Sequence, residues 1–379
     1  MVSTYTTDIA RRWVQNSELV DIYDKVVEGV RLSREDGLQL FRSNDLLAIG
    51  YLANLVRDRL HGERTYWIYN QHINYSNICV NGCRFCAFSR RFGEEGGFAL
   101  SVDEVATKVR ERLHEPITEI HVVGGCHPDL PLAYYLDLIG AIKQQRPGVI
   151  VKAFTAVEVA HFAQKAKWAT SEVLTALKQA GVEALPGGGA EVFSDRVRRL
   201  LCPEKLSGNG WLRVAKQAHR LGIRSNATLL YGHLETAAER VDHLLALREA
   251  QDETGGFITF IPLAFQAGNT RISGVRPRTG FTDLKTIAVS RLLLDNFMHI
   301  KAYWIMLGIK MAQVALQFGA DDLDGTVMEE KIGHMAGAST AEALTPEELQ
   351  VLIREAGREP VERDTFFRPV MQQDDAASR

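Results

Sequence analysis

From residue 119 onward the chain alternates short apolar runs with amphipathic stretches of helical period, and few folds accommodate that alternation. Glu119–Val123, Ile150–Ala156, Val182–Leu185, Ser225–Tyr231 and Phe257–Phe265 read as strands, with helices at Tyr134–Gln145, Ser171–Ala180, Trp211–Leu221 and Glu239–Glu249 between them. Such an order builds a parallel sheet with helices packed outside it. Helix Ser101–His114 precedes the series and opens with a Ser101…Glu104 capping box. Gly181 and Gly222 stand where helix-terminating glycines belong. Two further units follow: helix Asp283–Phe297 with an apolar strand Ala302–Leu307, then helix Ile309–Phe318 with Asp322–Gly325. Counting Tyr66–Tyr75 as the first strand gives eight, which predicts an α/β fold, a complete TIM-type (β/α)8 barrel in preference to a six-strand partial one. Residues 1–64 read as an N-terminal helical cap, 65–335 as the barrel and 336–379 as a C-terminal helical extension. In that extension Thr345 caps a helix Pro346–Ala356 that Gly357 stops, and the polar tail Gln372–Arg379 is expected to be disordered.

Right after the first strand lies Ile78-Cys79-Val80-Asn81-Gly82-Cys83-Arg84-Phe85-Cys86-Ala87-Phe88, holding three of the chain's five cysteines in the spacing C-x3-C-x2-C. Thiolates are the usual ligands of a [4Fe-4S] cluster, and three of them leave one iron open. An open position lets a small molecule bind the metal directly. A structural zinc site wants four closed ligands, and His72 lies seven residues upstream of Cys79, outside the usual spacings. An odd and sparse set of cysteines does not read as a disulfide framework. The aromatic Phe85 before the last cysteine matches the radical-SAM signature, in which S-adenosylmethionine (SAM) chelates the open iron. With a net charge of −3 nothing suggests a nucleic-acid footprint. No apolar run reaches membrane-spanning length and the N-terminus lacks a signal-peptide core, so no membrane partner and a cytoplasmic location are expected.

In a barrel of this kind the active site collects at the C-terminal strand ends. Gly124-Gly125 ends the second strand and leaves room for the methionine amino group of SAM. Glu158, beyond the third strand, is open to two readings: a partner for a ribose hydroxyl or the substrate, or a solvated loop carboxylate. Pro186-Gly187-Gly188-Gly189-Ala190-Glu191 follows the fourth strand; with no lysine after its glycines it is not a P-loop, and Glu191 is placed to reach the ribose or amino-acid part of SAM. Thr228, Leu230 and Gly232 with Glu235 resemble a radical-SAM adenine-contact pattern, with Thr228 where glycine is common. His121 and His233 are candidates for orienting a substrate carboxylate or donating a proton, against the commoner structural role of a satisfied histidine. Cys126 and Cys202 read as small packing side chains. Asp324, Glu329 and Glu330 cluster after the eighth strand, for proton transfer or for solvent.

Taken together, these segments resemble the aminofutalosine synthase family of radical-SAM enzymes from about Asn70 to Val370. The resemblance runs through His72–Tyr75, Gly124–Pro131, Lys152–Glu158, Leu185–Glu191, Asn226–His233 and Gln251–Phe257. The cysteine loop and glycine run are shared with dehypoxanthine futalosine cyclase and the tyrosine-using subunit of deazaflavin synthase. Phe154–Glu158 and Tyr231-Gly232-His233 point to the synthase in particular, while Cys126 stands where that family often has leucine. The resemblance implies addition of a 5′-deoxyadenosyl radical to 3-[(1-carboxyvinyl)oxy]benzoate, then rearrangement and decarboxylation to aminodeoxyfutalosine in menaquinone biosynthesis. It implies a [4Fe-4S] cluster, SAM as co-substrate, and a reducing donor such as flavodoxin or ferredoxin. A substrate with two carboxylates predicts cationic or N–H partners at the barrel mouth, for which Arg84, His121, His233 and Asn226 are candidates. The competing classes are the cyclase, which would abstract hydrogen with the same radical, and a protein that only carries a cluster.

Overall fold

The computed structural model describes residue 14 and residues 17–275, 278–341 and 343–370. The expected disordered tail, and the first part of the helical reading of residues 1–64, lie outside the described residues. Three helices open the described chain: α1 (Val20–Glu28), α2 (Arg34–Arg42) and α3 (Leu46–His61). Ser33 and Asp36 form a capping box at the start of α2, and the Asp45 carboxylate caps α3.

The sequence from Arg64 to Asn74 is one extended run in two parts, β1 (Arg64–Ile68) and β2 (Asn70–Asn74). Helix α4 (Val102–Glu111) and β3 (Glu119–Val123) follow, then α5 (Leu132–Gln145), β4 (Ile150–Ala153), α6 (Ala156–Ala166), α7 (Thr170–Ala180) and β5 (Val182–Leu185). The next units are α8 (Asp195–Leu201), α9 (Gly208–Arg220), β6 (Arg224–Tyr231), α10 (Ala237–Thr254), β7 (Phe257–Ala264), α11 (Gly280–Leu293) and β8 (His299–Ile300). Strands β2 to β8 form one parallel seven-stranded sheet in sequence order, as a βα series requires.

After α12 (Trp304–Leu307) and α13 (Ile309–Ala315), β9 (Asp322–Gly325) takes the eighth place. It meets the end of β8 through a bridge from Lys301 to Asp322, and it pairs with β1 on its other side. The Thr326 N–H donates to Ile68 O and the His72 N–H to Met328 O, which joins the eighth stave back to the first. Last come α14 (Ile332–Met335), α15 (Pro346–Glu355) and β10 (Glu359–Glu362), the last paired with β1.

One expected strand is corrected. Ala302–Leu307 is not extended: β8 lies just upstream, and Trp304–Leu307 forms a helical turn. A short apolar run does not distinguish a strand from a buried helical segment. Here Trp304, Ile305 and Leu307 are all buried, and the Trp304 indole donates to Gly325 O at 3.0 Å. The strand at Ile150 also ends earlier than expected. Phe154 takes a left-handed φ of 62°, and Thr155 with Glu158 forms the capping box that starts α6.

Below the barrel, Asp321 accepts hydrogen bonds from the Arg291 guanidinium, the Ile300 N–H and the His299 ring. His61 packs beside them and stacks on His299. This largely buried group ties α3, α11 and the strand ends into one plug. No helix among the described residues is long and apolar enough to cross a membrane.

Candidate functional site

The three-cysteine loop is pinned from several sides. The Cys79 N–H donates to Arg90 O at 2.9 Å, Val80 N–H to Cys126 O at 3.0 Å and Arg84 N–H to Leu201 O at 2.8 Å. Arg271 reaches over from the loop after β7 and donates its N–H to Arg84 O and its guanidinium to Gly82 O. Cys79, Cys83 and Cys86 are all free thiols, and all line one cavity of about 300 Å³ at the C-terminal ends of the strands. Among the described residues, only His61, His299 and Asp321 bring three ligand atoms within 4.8 Å of one another. The three thiols therefore stand too far apart to converge on one zinc ion, where sulfurs about 2.3 Å from the metal approach one another to about 3.8 Å. In a cubane each thiolate takes its own iron, so the three need not converge on one point. The two remaining cysteines flank the loop. The Cys126 N–H donates to Cys79 Sγ at 3.3 Å, and Cys126 pulls the Cys79 thiol's pKa down, while Cys202 and burial push Cys83 up.

Glycines make the cavity wall. At Gly125 a Cβ would stand 2.2 Å from Ile78 O, so the ridge after β3 presses directly on the cysteine loop. Gly189 has φ of 85°, and a Cβ there would meet Val157 at 2.4 Å. The Gly124 N–H donates to Glu158 Oε1 at 3.1 Å, and Tyr75 donates its hydroxyl to the same oxygen at 2.8 Å. Thr155 gives Glu158 Oε2 both its N–H and its hydroxyl at 2.7 Å. Burial raises the Glu158 carboxyl to about 7 against these four donors. Glu191, with φ of 48°, pairs with Lys205 at 2.5 Å, and the Lys205 ammonium lies 5.3 Å from the centre of the Phe85 ring. Thr228 donates its hydroxyl to Gly187 O at 2.7 Å.

Deeper in the barrel lies a charged layer. The sheet register places His72 beside His121 and His121 beside Lys152. The two imidazoles stack, with centroids 4.4 Å apart and planes 17° apart. Burial holds both rings below their ordinary pKa, and it lowers Lys152 as well. Lys152 Nζ lies 2.7 Å from both Glu119 oxygens, and Lys301 Nζ lies 2.7 Å from Asp324. Arg363 pairs with Asp322 from the C-terminal segment, and Thr365 donates to Glu119.

The cavity thus gathers Cys79, Cys83, Cys86, Phe85, Gly124, Gly125, Glu158, Glu191, Thr228, Leu230 and His121 from the sequence-derived set. His233 and Gly232 are not part of its lining. The His233 ring is enclosed, with Nε2 on Leu230 O at 2.9 Å and Nδ1 2.9 Å from Glu235, and the Gly232 N–H donates to Glu235 Oε1. Asp324 and Glu330 line the cavity, whereas Glu329 pairs with Lys108 and Arg112 outside it. Asn226 lines the cavity, and Arg84 is exposed on the loop's outer side.

Sequence reasoning passed over Lys152, Lys205 and Lys301. A lone cation between apolar neighbours, as in Ile150-Val151-Lys152-Ala153, was the available signal, since a buried strand seldom carries one.

Comparison with known proteins fits this geometry. Residues 73–247 match the Radical SAM superfamily and residues 254–374 the CofH/MqnC C-terminal region. The chain is 52% identical over 363 residues to aminodeoxyfutalosine synthase of Thermus thermophilus, covering 95% of this chain and 98% of that relative. The chain belongs to the radical SAM superfamily. It is a radical SAM enzyme, and as such takes a [4Fe-4S] cluster and SAM. It is also 43% identical to aminodeoxyfutalosine synthase of Streptomyces coelicolor, covering 92% of each chain. To the 5-amino-6-(D-ribitylamino)uracil–L-tyrosine 4-hydroxyphenyl transferase of Methanospirillum hungatei it is 42% identical, over 93% of this chain and 98% of that one. Among solved structures, methylornithine synthase superposes with a TM-score of 0.71 at 18% identity, covering 94% of this chain and 99% of that chain. The hydrogenase maturase HydG of Carboxydothermus hydrogenoformans gives 0.73 at 18% identity, covering 96% and 84%. Both share the radical SAM barrel fold.

Proposed function

We propose that this chain is an aminodeoxyfutalosine synthase acting on 3-[(1-carboxyvinyl)oxy]benzoate. The observation that carries the reading is the 52% identity to the Thermus synthase along nearly the whole of both chains. In this reading Cys79, Cys83 and Cys86 hold the cluster, and Gly124, Gly125, Glu191, Thr228 and Leu230 form the SAM cradle. Bound there, cluster and SAM supply a 5′-deoxyadenosyl radical for addition to the enol-ether double bond. The chain's own contribution is enclosure and placement. Ile261, Leu263 and Phe265 face the cavity with apolar surface that keeps water from the reacting carbon. Glu158, through Oε1, holds the Gly124 amide in place, so its role here is positioning. His233, enclosed beneath Leu230, is assigned a structural role and His121 a binding one. A cytoplasmic setting and a flavodoxin or ferredoxin as electron source complete the proposal, with residues 1–64 as cap, 65–335 as barrel and 336–379 as extension.

The test is a product assay by mass spectrometry. Reduced enzyme is given SAM with the enolpyruvyl benzoate, and in parallel SAM with tyrosine and 5-amino-6-(D-ribitylamino)uracil. Adenosyl carbon in a product of the benzoate is expected. Free 5′-deoxyadenosine as the sole nucleoside from the benzoate, or product only from the tyrosine pair, would overturn the reading.

A further inference from the structure

TIM-type barrels normally fill their interior with layers of Val, Ile and Leu. The middle layer here is His72, His121, Lys152, Lys301 and Asp324 instead, all lining the cavity. Burying such groups is unfavourable unless each finds partners, and the pattern of partners shows which way the layer faces.

The counter-charges stand behind it. Glu119 and Asp322 are fully buried and are not part of the cavity lining, whereas Lys152 and Lys301 are. Glu119 Oε2 is occupied by Lys152 and the Thr365 hydroxyl, and Asp322 by the Arg363 guanidinium and the Asp324 N–H. Each ammonium has three N–H donors. Among the described residues Lys152 bonds to Glu119 alone, and Lys301 has Asp324 at 2.7 Å with Asp322 only at 3.8 Å. Both ammoniums thus keep N–H donors in reserve at the cavity wall, against Asp324, while Glu330, which also lines the cavity, is held by His334 and the Gly333 N–H. His72 is buried, and its Nε2 has no hydrogen-bond partner. Two ammoniums that line one space, with an enclosed imidazole left unsatisfied beside them, form a site for a planar anion.

We infer that this layer is a carboxylate subsite, and that it takes the ring carboxylate of an aromatic acid whose other end points toward the three cysteines. The identity of the acid rests on the function proposed above. The subsite itself rests on the charge layout. Between the layer and the cysteine loop the walls are Val123, Thr228, Ile261 and Leu263, apolar enough to clasp an arene. The arrangement fixes polarity: the benzoate end goes down and the carboxyvinyl end, which reacts, goes up.

The experiment compares 3-hydroxybenzoate with 3-hydroxybenzamide, its neutral isostere, by anaerobic calorimetry on the full chain loaded with cluster and SAM. A charge-assisted bond gained only by the acid predicts that it binds about 10- to 100-fold more tightly than the amide. His72→Phe keeps a ring against His121 and removes the free nitrogen. It should reduce acid binding about 10-fold while amide binding stays unchanged, which also reports an intact fold. Equal affinity of acid and amide for the wild type overturns the subsite, and so does an equal loss of both in His72→Phe. The product assay separates the two ideas. Turnover of the enolpyruvyl benzoate without acid–amide discrimination leaves the function standing and removes the subsite. Discrimination without turnover keeps an aryl-carboxylate site and removes the named substrate.

Discussion

Gly125→Ala tests how the barrel holds its cluster loop. The added Cβ would stand 2.2 Å from Ile78 O, 2.7 Å from Ile78 C and 3.1 Å from Cys79 Cβ. Ordinary carbon contacts begin near 3.5 Å, so one backbone must retreat by about 1 Å. Neither side yields freely. The Gly125 N–H is bonded to Ser76 O at 2.8 Å, and the loop is tied back by Val80 N–H on Cys126 O and Cys79 N–H on Arg90 O. Overpacking of this kind costs about 1–3 kcal/mol of stability. The functional loss is larger, because the displaced backbone carries Cys79, a cluster ligand in the function proposed above, and a misplacement of about 1 Å lowers a rate about 10²-fold. The assays are iron per chain, thermal unfolding, and SAM cleavage by the dithionite-reduced enzyme. Gly140→Ala in α5 is the control: nothing lies within 4 Å of its Cβ, so it should be neutral or more stable by about 0.5–1 kcal/mol. A Gly125→Ala enzyme with full iron and cleavage within about threefold of wild type would refute the reasoning.

Cys83→Ala should lose iron and SAM cleavage together, whereas Cys126→Ala should keep its iron, because the backbone N–H on Cys79 survives even though the Cys126 thiol that lowers the Cys79 pKa is lost. Iron analysis after anaerobic reconstitution decides both. Asp321→Asn leaves Arg291 buried beside a neutral partner, and loss of about 3–5 kcal/mol is expected in chemical denaturation. His61 and His219 are held down to about 4 by burial, so the unfolded chain binds more protons than the native one between about 4 and 6.5. Their contribution is present above pH 6.5 and is lost as pH falls through 4. Glu158, raised to about 7, works in the opposite sense between about 4.5 and 7. With His243 held down to about 3 in the same way, three histidines against one carboxyl predict a melting temperature that declines from pH 6.5 to 4, and a rise over that range would contradict the signs.

The cysteine loop is legible in the sequence because its three thiols lie within eight residues, Cys79 to Cys86, and the fold brings all three to one cavity. The strand series was legible for a related reason: each β-α unit declares itself locally by period and caps. What escaped was set by long-range partners. Lys152 finds Glu119 on a neighbouring strand, and Lys301 finds Asp324 after two intervening helices, so neither pairing has a short-range mark. Glu158 was read as a strand-end carboxylate, although Thr155-x-x-Glu158 is itself a helix-start signature; the cap and the cavity position are both real. His233 was singled out by its neighbours Tyr231 and Gly232. Only the folded chain shows its ring committed to Leu230 O and Glu235.

Two buried ionic groups occupy this barrel, and their hydrogen bonds separate structure from function. The plug around Asp321 is closed: Arg291, His299 and Ile300 saturate the carboxylate, and His61 Nε2 rests on Met298 O at 2.8 Å. Although His61, His299 and Asp321 stand at metal-ligand separation, the Arg291 guanidinium already supplies the positive charge there, which disfavours a cation. The layer around Lys152 holds similar residues at similar burial, yet among the described residues it leaves His72 Nε2 and Asn74 Oδ1, on residues that line the cavity, and Glu119 Oε1 and Arg363 Nη2 behind them without hydrogen-bond partners. A buried polar atom left unpaired costs about 1–3 kcal/mol. A chain built only for stability would fill those positions with valine, as most barrels do. The unsatisfied layer therefore marks where the barrel expects a partner from outside the chain, and its spare ammonium donors define that partner's charge.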